Sequence, residues 1–256
     1  MRPIHERLQE YFDSTSDEQI HKDWESTSAW DEVGSPILYQ PTLTAIQIIN
    51  KYKSLKLGLK HIVKTNEANY APYHNIGHLL TVMKHCYYAL EYMDMLDDDK
   101  AEALLLAALF HDYQHTQGEL SDNINVIRSW RGLKHFLINL HPLGAEPLGV
   151  YDRYYDFMRR LIYSTEYPHV IKNEDLTTYQ AILRDADMCP TFEYDWFKNC
   201  VFGISKEWDL DTIEFVSQSK GFVKGMNMIT PYGKMVYKTQ IDALISDYEL
   251  YEEILQ

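Results

Sequence analysis

His111 and Asp112 stand side by side at the end of an apolar run, Ala103 to Phe110, and His115 follows one helical turn later. Upstream lies Tyr73-His74-Asn75-Ile76-Gly77-His78. Downstream lies Asp187, within Leu183-Arg184-Asp185-Ala186-Asp187-Met188. Imidazoles and carboxylates are the side chains that hold a divalent metal and its bound water, so the chemistry on offer is metal-dependent hydrolysis. His74 and His78 are four apart and fall near one face of a helix, one ring free to serve a metal and the other a substrate. His111 and Asp112 diverge on a regular helix, so both reach one site only if the helix ends there and the backbone turns. Asp112 has two oxygens and could bridge two metals, whereas an imidazole offers one free lone pair. Asp187 would close the set from a distant helix.

The elements that must position these residues read as helices. Apolar residues recur at helical spacing over Thr42 to Ile62 and Ile76 to Leu96. Lys100 to His111 is apolar on nearly all sides, which marks a buried central helix. Leu120 to Leu140 follows and is stopped by His141-Pro142-Leu143-Gly144. Val150 to Tyr163, Asp175 to Ala186, Phe192 to Ile204, Asp209 to Val223 and Tyr232 to Leu255 complete the series. No period-two strand pair is present. The expected fold is all-α: one compact domain over residues 37–256, preceded by a polar N-terminal extension, residues 1–36, ending at Gly34-Ser35-Pro36.

The 256 residues suffice for a real core. A formal charge of −14 argues against affinity for duplex nucleic acid or an anionic membrane. It leaves room for a small anionic substrate, because a bound metal dominates its own pocket. Cys86, Cys189 and Cys200 form no Cys-x-x-Cys pair and read as reduced thiols. With no signal-peptide segment at the start and no apolar run of spanning length, the expectation is a soluble, cytoplasmic protein.

His78, His111-Asp112 and Asp187, in that order on an all-α scaffold, resemble the HD superfamily of metal-dependent phosphohydrolases. Tyr73 to His78 matches Tyr-His-Asn-x-x-His, and His111 to His115 matches His-Asp-x-x-His, both carried by the catalytic domains of cyclic nucleotide phosphodiesterases. Ser164-Thr165-Glu166, Ala186-Asp187-Met188, Thr230-Pro231 and Lys238-Thr239-Gln240 are similar to that family's later motifs. The likeness spans about residues 70–245. It implies that His78, His111, Asp112 and Asp187 hold a first divalent metal, with Asp112 bridging to a second whose other ligands are mainly water. It implies that His74 donates a proton to the leaving oxygen, that His115 sits near the second metal through water, and that Gln240 hydrogen-bonds the purine edge. Tyr73 and Thr165 would line the substrate pocket. The base-recognition half departs from the family. Gly118 to Asn123 is longer than its Gly-x-x-Asn, Cys189 replaces an Asn, and Ala243 stands where an aromatic would clamp the base.

The leading expectation is hydrolysis of a nucleotide phosphoester, foremost a 3',5'-cyclic nucleotide, with two divalent ions drawn from Zn, Mn, Fe, Co or Mg. A metal lowers the pKa of its water toward about 7 and so supplies hydroxide, and a His donates to the departing oxygen. Glu102, Glu119, Glu146 or Glu166 would keep His74 protonated. A nucleotidase or nucleoside triphosphate phosphohydrolase shares the metal half, and a non-catalytic nucleotide-sequestering protein is the alternative from another class. Asn75 either braces His74 or caps the helix at Ile76. Asp122 and Asn123 either reach the phosphate or cap the helix near Leu120. Trp196, Phe197, Phe215 and Phe222 are either pocket walls or core. Asp185 is expected to be solvated or paired with Arg184.

Overall fold

The computed structural model describes residues 43–139 and 149–255, together with Ser16, Gln19 and Lys22. The chain divides into two units, Met1–Gln40 and Pro41–Gln256, and the second carries every element below. The expected extension with its Gly34-Ser35-Pro36 boundary, the stop at His141 to Gly144, and Glu146 lie outside the described residues.

Ten α-helices and no strand occur among the described residues, as the patterning implied. They are α1 (Ala45–Lys51), α2 (Lys53–Thr65), α3 (Ile76–Tyr92), α4 (Ala101–Phe110), α5 (Asp122–Asn139), α6 (Gly149–Tyr163), α7 (Thr178–Met188), α8 (Gly203–Glu207), α9 (Thr212–Lys224) and α10 (Pro231–Leu255). Helix α4 is the hub, packed against α2, α3, α5, α6 and α7. Every residue of α4 except Glu102 is buried. Leu104, Leu105, Leu106, Leu109 and Phe110 are fully shielded, and each such side chain contributes roughly 1.5–3 kcal/mol. His111 and Asp112 follow directly, so this buried helix delivers two of the candidate ligands.

Three expectations change. The stretch Thr42 to Ile62 is two helices, broken where Tyr52 takes an extended backbone (φ −120°, ψ 124°). The break turns α2 so that Leu55, Gly58 and Ile62 face the core. Packing selects this turn; neither Gly nor Pro marks it in the sequence. The stretch Phe192 to Ile204 is a wide π turn, Phe197–Phe202, running into α8. At the start of α8 a Cβ on Gly203 would stand 2.9 Å from the Pro72 carbonyl oxygen, so glycine lets α8 dock on the backbone beside Tyr73. Helix α7 starts later than expected, after a Thr177–Gln180 capping box, and runs on to Met188, which puts Asp187 in its last turn.

Asp185 is neither solvated nor paired with Arg184. It is buried and accepts from the N–H of Thr230 (2.7 Å) and Ile229 (3.0 Å) and from the Thr230 hydroxyl (2.7 Å), which fixes the approach to α10. Arg184 instead donates to the carbonyls of Ser164 and Ile171. Both residues therefore anchor α7 and hold Asp187 in register. Among the described residues, no helix is long and apolar enough to cross a membrane.

Candidate metal centre

Asn75 caps α3: its side-chain oxygen accepts from the N–H of Gly77 (2.8 Å) and His78 (3.3 Å), and its amide donates to Ala71 O (2.9 Å). It does not brace His74. The cap starts the helix so that His78 faces inward in the first turn. On α4 the helical turn ends at His111, and Tyr113 N–H closes back on Phe110 O at 3.0 Å. That tightening lets the adjacent His111 and Asp112 enter one site, which a continued helix would forbid.

Four donor atoms meet there. His78 Nε2 lies 3.2 Å from His111 Nε2, 3.1 Å from Asp112 Oδ2 and 3.3 Å from Asp187 Oδ1. His111 Nε2 lies 3.2 Å from each of the same two oxygens. Ligand atoms about 2.0–2.2 Å from one cation stand roughly 2.8–3.6 Å apart, so these separations fit a single ion. His111 Nδ1 donates to Ala108 O (2.8 Å), which leaves the Nε2 lone pair turned to the cluster. Two imidazole nitrogens facing each other between two carboxylates need a proton or a cation among them, and His78 and His111 are buried. This donor set could hold a divalent metal ion. Burial pushes His111 down, but the charges of Asp112 and Asp187 outweigh it and hold the ring well above its usual range. The same balance raises His78. Burial likewise lifts Asp112 and Asp187, and the facing His111 more than reverses it, so both carboxylates sit below their ordinary range.

A second cluster adjoins the first. His74 Nδ1 is 2.5 Å from Glu207 Oε2, and Glu207 Oε1 accepts the N–H of Tyr73 (2.7 Å) and His74 (2.8 Å). Burial raises Glu207, but the hydrogen bond and charge of His74 outweigh it, leaving the carboxyl below its usual range. His74 Nε2 then points toward the first cluster, 3.9 Å from Asp112 Oδ2. The partner of His74 is thus Glu207, which was not among the candidates expected. Glu102 is bonded to Ser54, Glu119 is exposed, and the carboxylate on the His74 ring is that of Glu207. No motif marks Glu207, which is 133 residues away in sequence; the docking of α8 brings it in. The His115 ring stacks on His74, with centroids 3.6 Å apart and planes at 21°. Burial and the neighbouring His74 push His115 down to about 4. Its Nε2 is 3.0 Å from the Asn125 amide, whose oxygen accepts from Thr116 N–H (3.0 Å) and Oγ1 (2.8 Å). The asparagine at this position is Asn125, whereas Asn123 pairs with Ser121.

A cavity of about 560 Å³ opens onto both clusters. Tyr73, Asp122 and Thr165 line it, and Asp122 also accepts the Tyr167 N–H (2.6 Å). The Thr165 hydroxyl is turned away to Ile162 O (2.8 Å), and Tyr73 packs edge-on against His74. Val201, Ile204, Trp208, Phe215, Phe222 and Val223 form much of the remaining wall, and no Lys or Arg among the described residues belongs to it. Trp196 and Phe197 are instead packed on Tyr248 and Tyr251. Gln240 is exposed on α10 and is not among the cavity-lining residues. Compared with protein-family models and with curated proteins, the chain matches none.

Proposed function

We propose that this chain is a metal-dependent phosphohydrolase of the HD type that cleaves a phosphodiester, foremost in a cyclic nucleotide. The observation that carries the reading is the meeting of His78, His111, Asp112 and Asp187 at ligand-to-ligand distances, beside a His74 whose Nε2 faces them. A bound divalent cation neutralises phosphoryl oxygens and lowers the pKa of water toward about 7. The chain's own residues do the rest. Glu207 holds the His74 ring through Nδ1–H, so a proton leaves from Nε2 toward the departing ester oxygen. The edge contact of Tyr73 and the stacked ring of His115 limit the rotation of that ring.

Charge supports two cations and a diester. Asp112, Asp122 and Asp187 line the cavity, and among the described residues no Lys or Arg opposes them. One dication would leave a negative surplus that repels an anionic ester; a second reverses the sign. Without fixed cationic side chains, the β- and γ-phosphates of a triphosphate have nothing to pair with, which favours the diester over the triphosphate alternative. The apolar wall suits a flat organic group.

The test is metal analysis of the purified protein coupled to a panel of cyclic mononucleotides, cyclic dinucleotides, nucleoside monophosphates and triphosphates. The expected result is bound divalent metal and chelator-sensitive turnover of a diester. Intact substrates after prolonged incubation with Mn²⁺ would refute the reading and favour sequestration.

A further inference from the structure

Gln114 holds a backbone conformation that few side chains adopt: its φ is 64°. It stands between Asp112 and His115, two of the residues this loop sends into the cavity. A residue in this region persists only where its surroundings over-determine it. All four polar groups of Gln114 are bonded to two other elements. Its N–H donates to Asn66 Oδ1 (2.9 Å) and its side-chain amide to Thr65 O (2.6 Å), both at the end of α2. Its carbonyl accepts from Arg128 Nε (2.8 Å), and its side-chain oxygen from Arg128 Nη2 (3.3 Å).

Arg128 is one of a set on α5. Asn125, Arg128, Ser129 and Gly132 share one face of that helix by their spacing. Each meets the same loop: Asn125 at Thr116 and His115, Ser129 at the Tyr113 carbonyl (3.2 Å), and Gly132 at the Tyr113 ring. A Cβ on Gly132 would stand 2.1 Å from Tyr113 Cδ1, so the ring lies directly on the helix backbone. An entire helix face is given to this segment.

We propose that Gln114 is a positioning residue: clasped between the end of α2 and this face of α5, it sets where Asp112 and His115 point. The consequence for metal affinity rests on the metal-centre reading above. Gln114→Gly removes the backbone strain and the side-chain bonds together. Gln114→Asn tolerates the left-handed backbone but is too short to reach both Thr65 and Arg128. In the full chain, both variants should bind Zn²⁺ at least about tenfold more weakly by chelator competition, while the metal-free melting temperature shifts by only a few degrees. Wild-type affinity in either variant would overturn the role. A second measurement needs no metal: exchange of the His115 amide, which is bonded to Asp112 O (3.2 Å), should quicken about tenfold or more in both variants. If the parent takes up no Zn²⁺, exchange alone decides. Unchanged protection overturns the clasp, and faster exchange upholds it whatever metal the centre takes.

Discussion

In the cluster of His78, His111, Asp112 and Asp187, ring nitrogens and carboxylate oxygens face one another across a common centre. In the neighbouring cluster of His74, His115 and Glu207, the residue types are the same but the directions differ. The two rings lie nearly parallel, so their in-plane lone pairs run side by side and share no point. Both Glu207 oxygens are already occupied, one by two backbone N–H groups and the other by His74 Nδ1. The first geometry suits a cation; the second suits holding one ring to move a proton. Donor direction and uncommitted lone pairs separate the two, and residue type does not.

The sharpest way to break this contrast is to disable one cluster at a time. Asp112→Ala should lose bound metal and turnover together. His74→Ala and Glu207→Gln should keep metal near the parental content while turnover falls by about 10²–10⁴. Metal analysis after dialysis, paired with initial rates, reads both quantities. Equal metal loss in all three variants would erase the distinction between the clusters.

A smaller effect concerns pH in the metal-free protein, where the two clusters should slope in opposite directions. His78 and His111 are raised in the fold, so their stabilisation is complete below the unfolded value of about 6.5 and fades as pH climbs through their raised values. His115 is depressed to about 4, so its contribution is complete above about 6.5 and is lost as pH falls toward 4. For His115 the shift from about 6.5 to about 4 amounts to on the order of 3 kcal/mol across its window. Urea unfolding of His115→Asn should show a weaker decline between pH 6.5 and 4.5 than the parent. His111→Asn should show a weaker decline on the alkaline side. Parallel pH profiles in the two variants would contradict the opposed signs.

The smallest effect extends the comparison to the organic half of the cavity. Phe222→Ala removes part of the wall and should raise KM for the best diester several-fold, leaving metal content alone. Gln240→Ala should change KM by less than about twofold, because this amide is exposed and outside the cavity lining. A large KM change in Gln240→Ala would return base recognition to α10.

The helical class, the buried central helix and the four candidate ligands were legible in the sequence because each is a local signal. Apolar periodicity marks helices, continuous apolarity marks the hub, and imidazoles beside carboxylates mark metal chemistry. The break at Tyr52 and the π turn before α8 were not legible, since packing against α4 and against Pro72–Tyr73 overrides a helical pattern that continues through both. Phe215 and Phe222 face the cavity while Trp196 and Phe197 do not, though all four belong to aromatic-bearing helical stretches.

The amino-acid order by itself determined which side chains were available: four that could hold a metal ion, two further histidines beside them, and a formal charge of −14. Only the tertiary structure decided their partners. Glu207 for His74, Asn125 for His115, Arg128 for Gln114 and Thr230 for Asp185 are all chosen by helix docking. The reason is range. A hydrogen bond acts over about 3 Å, and the residues it joins here are separated by as many as 133 positions, a distance that no local pattern encodes.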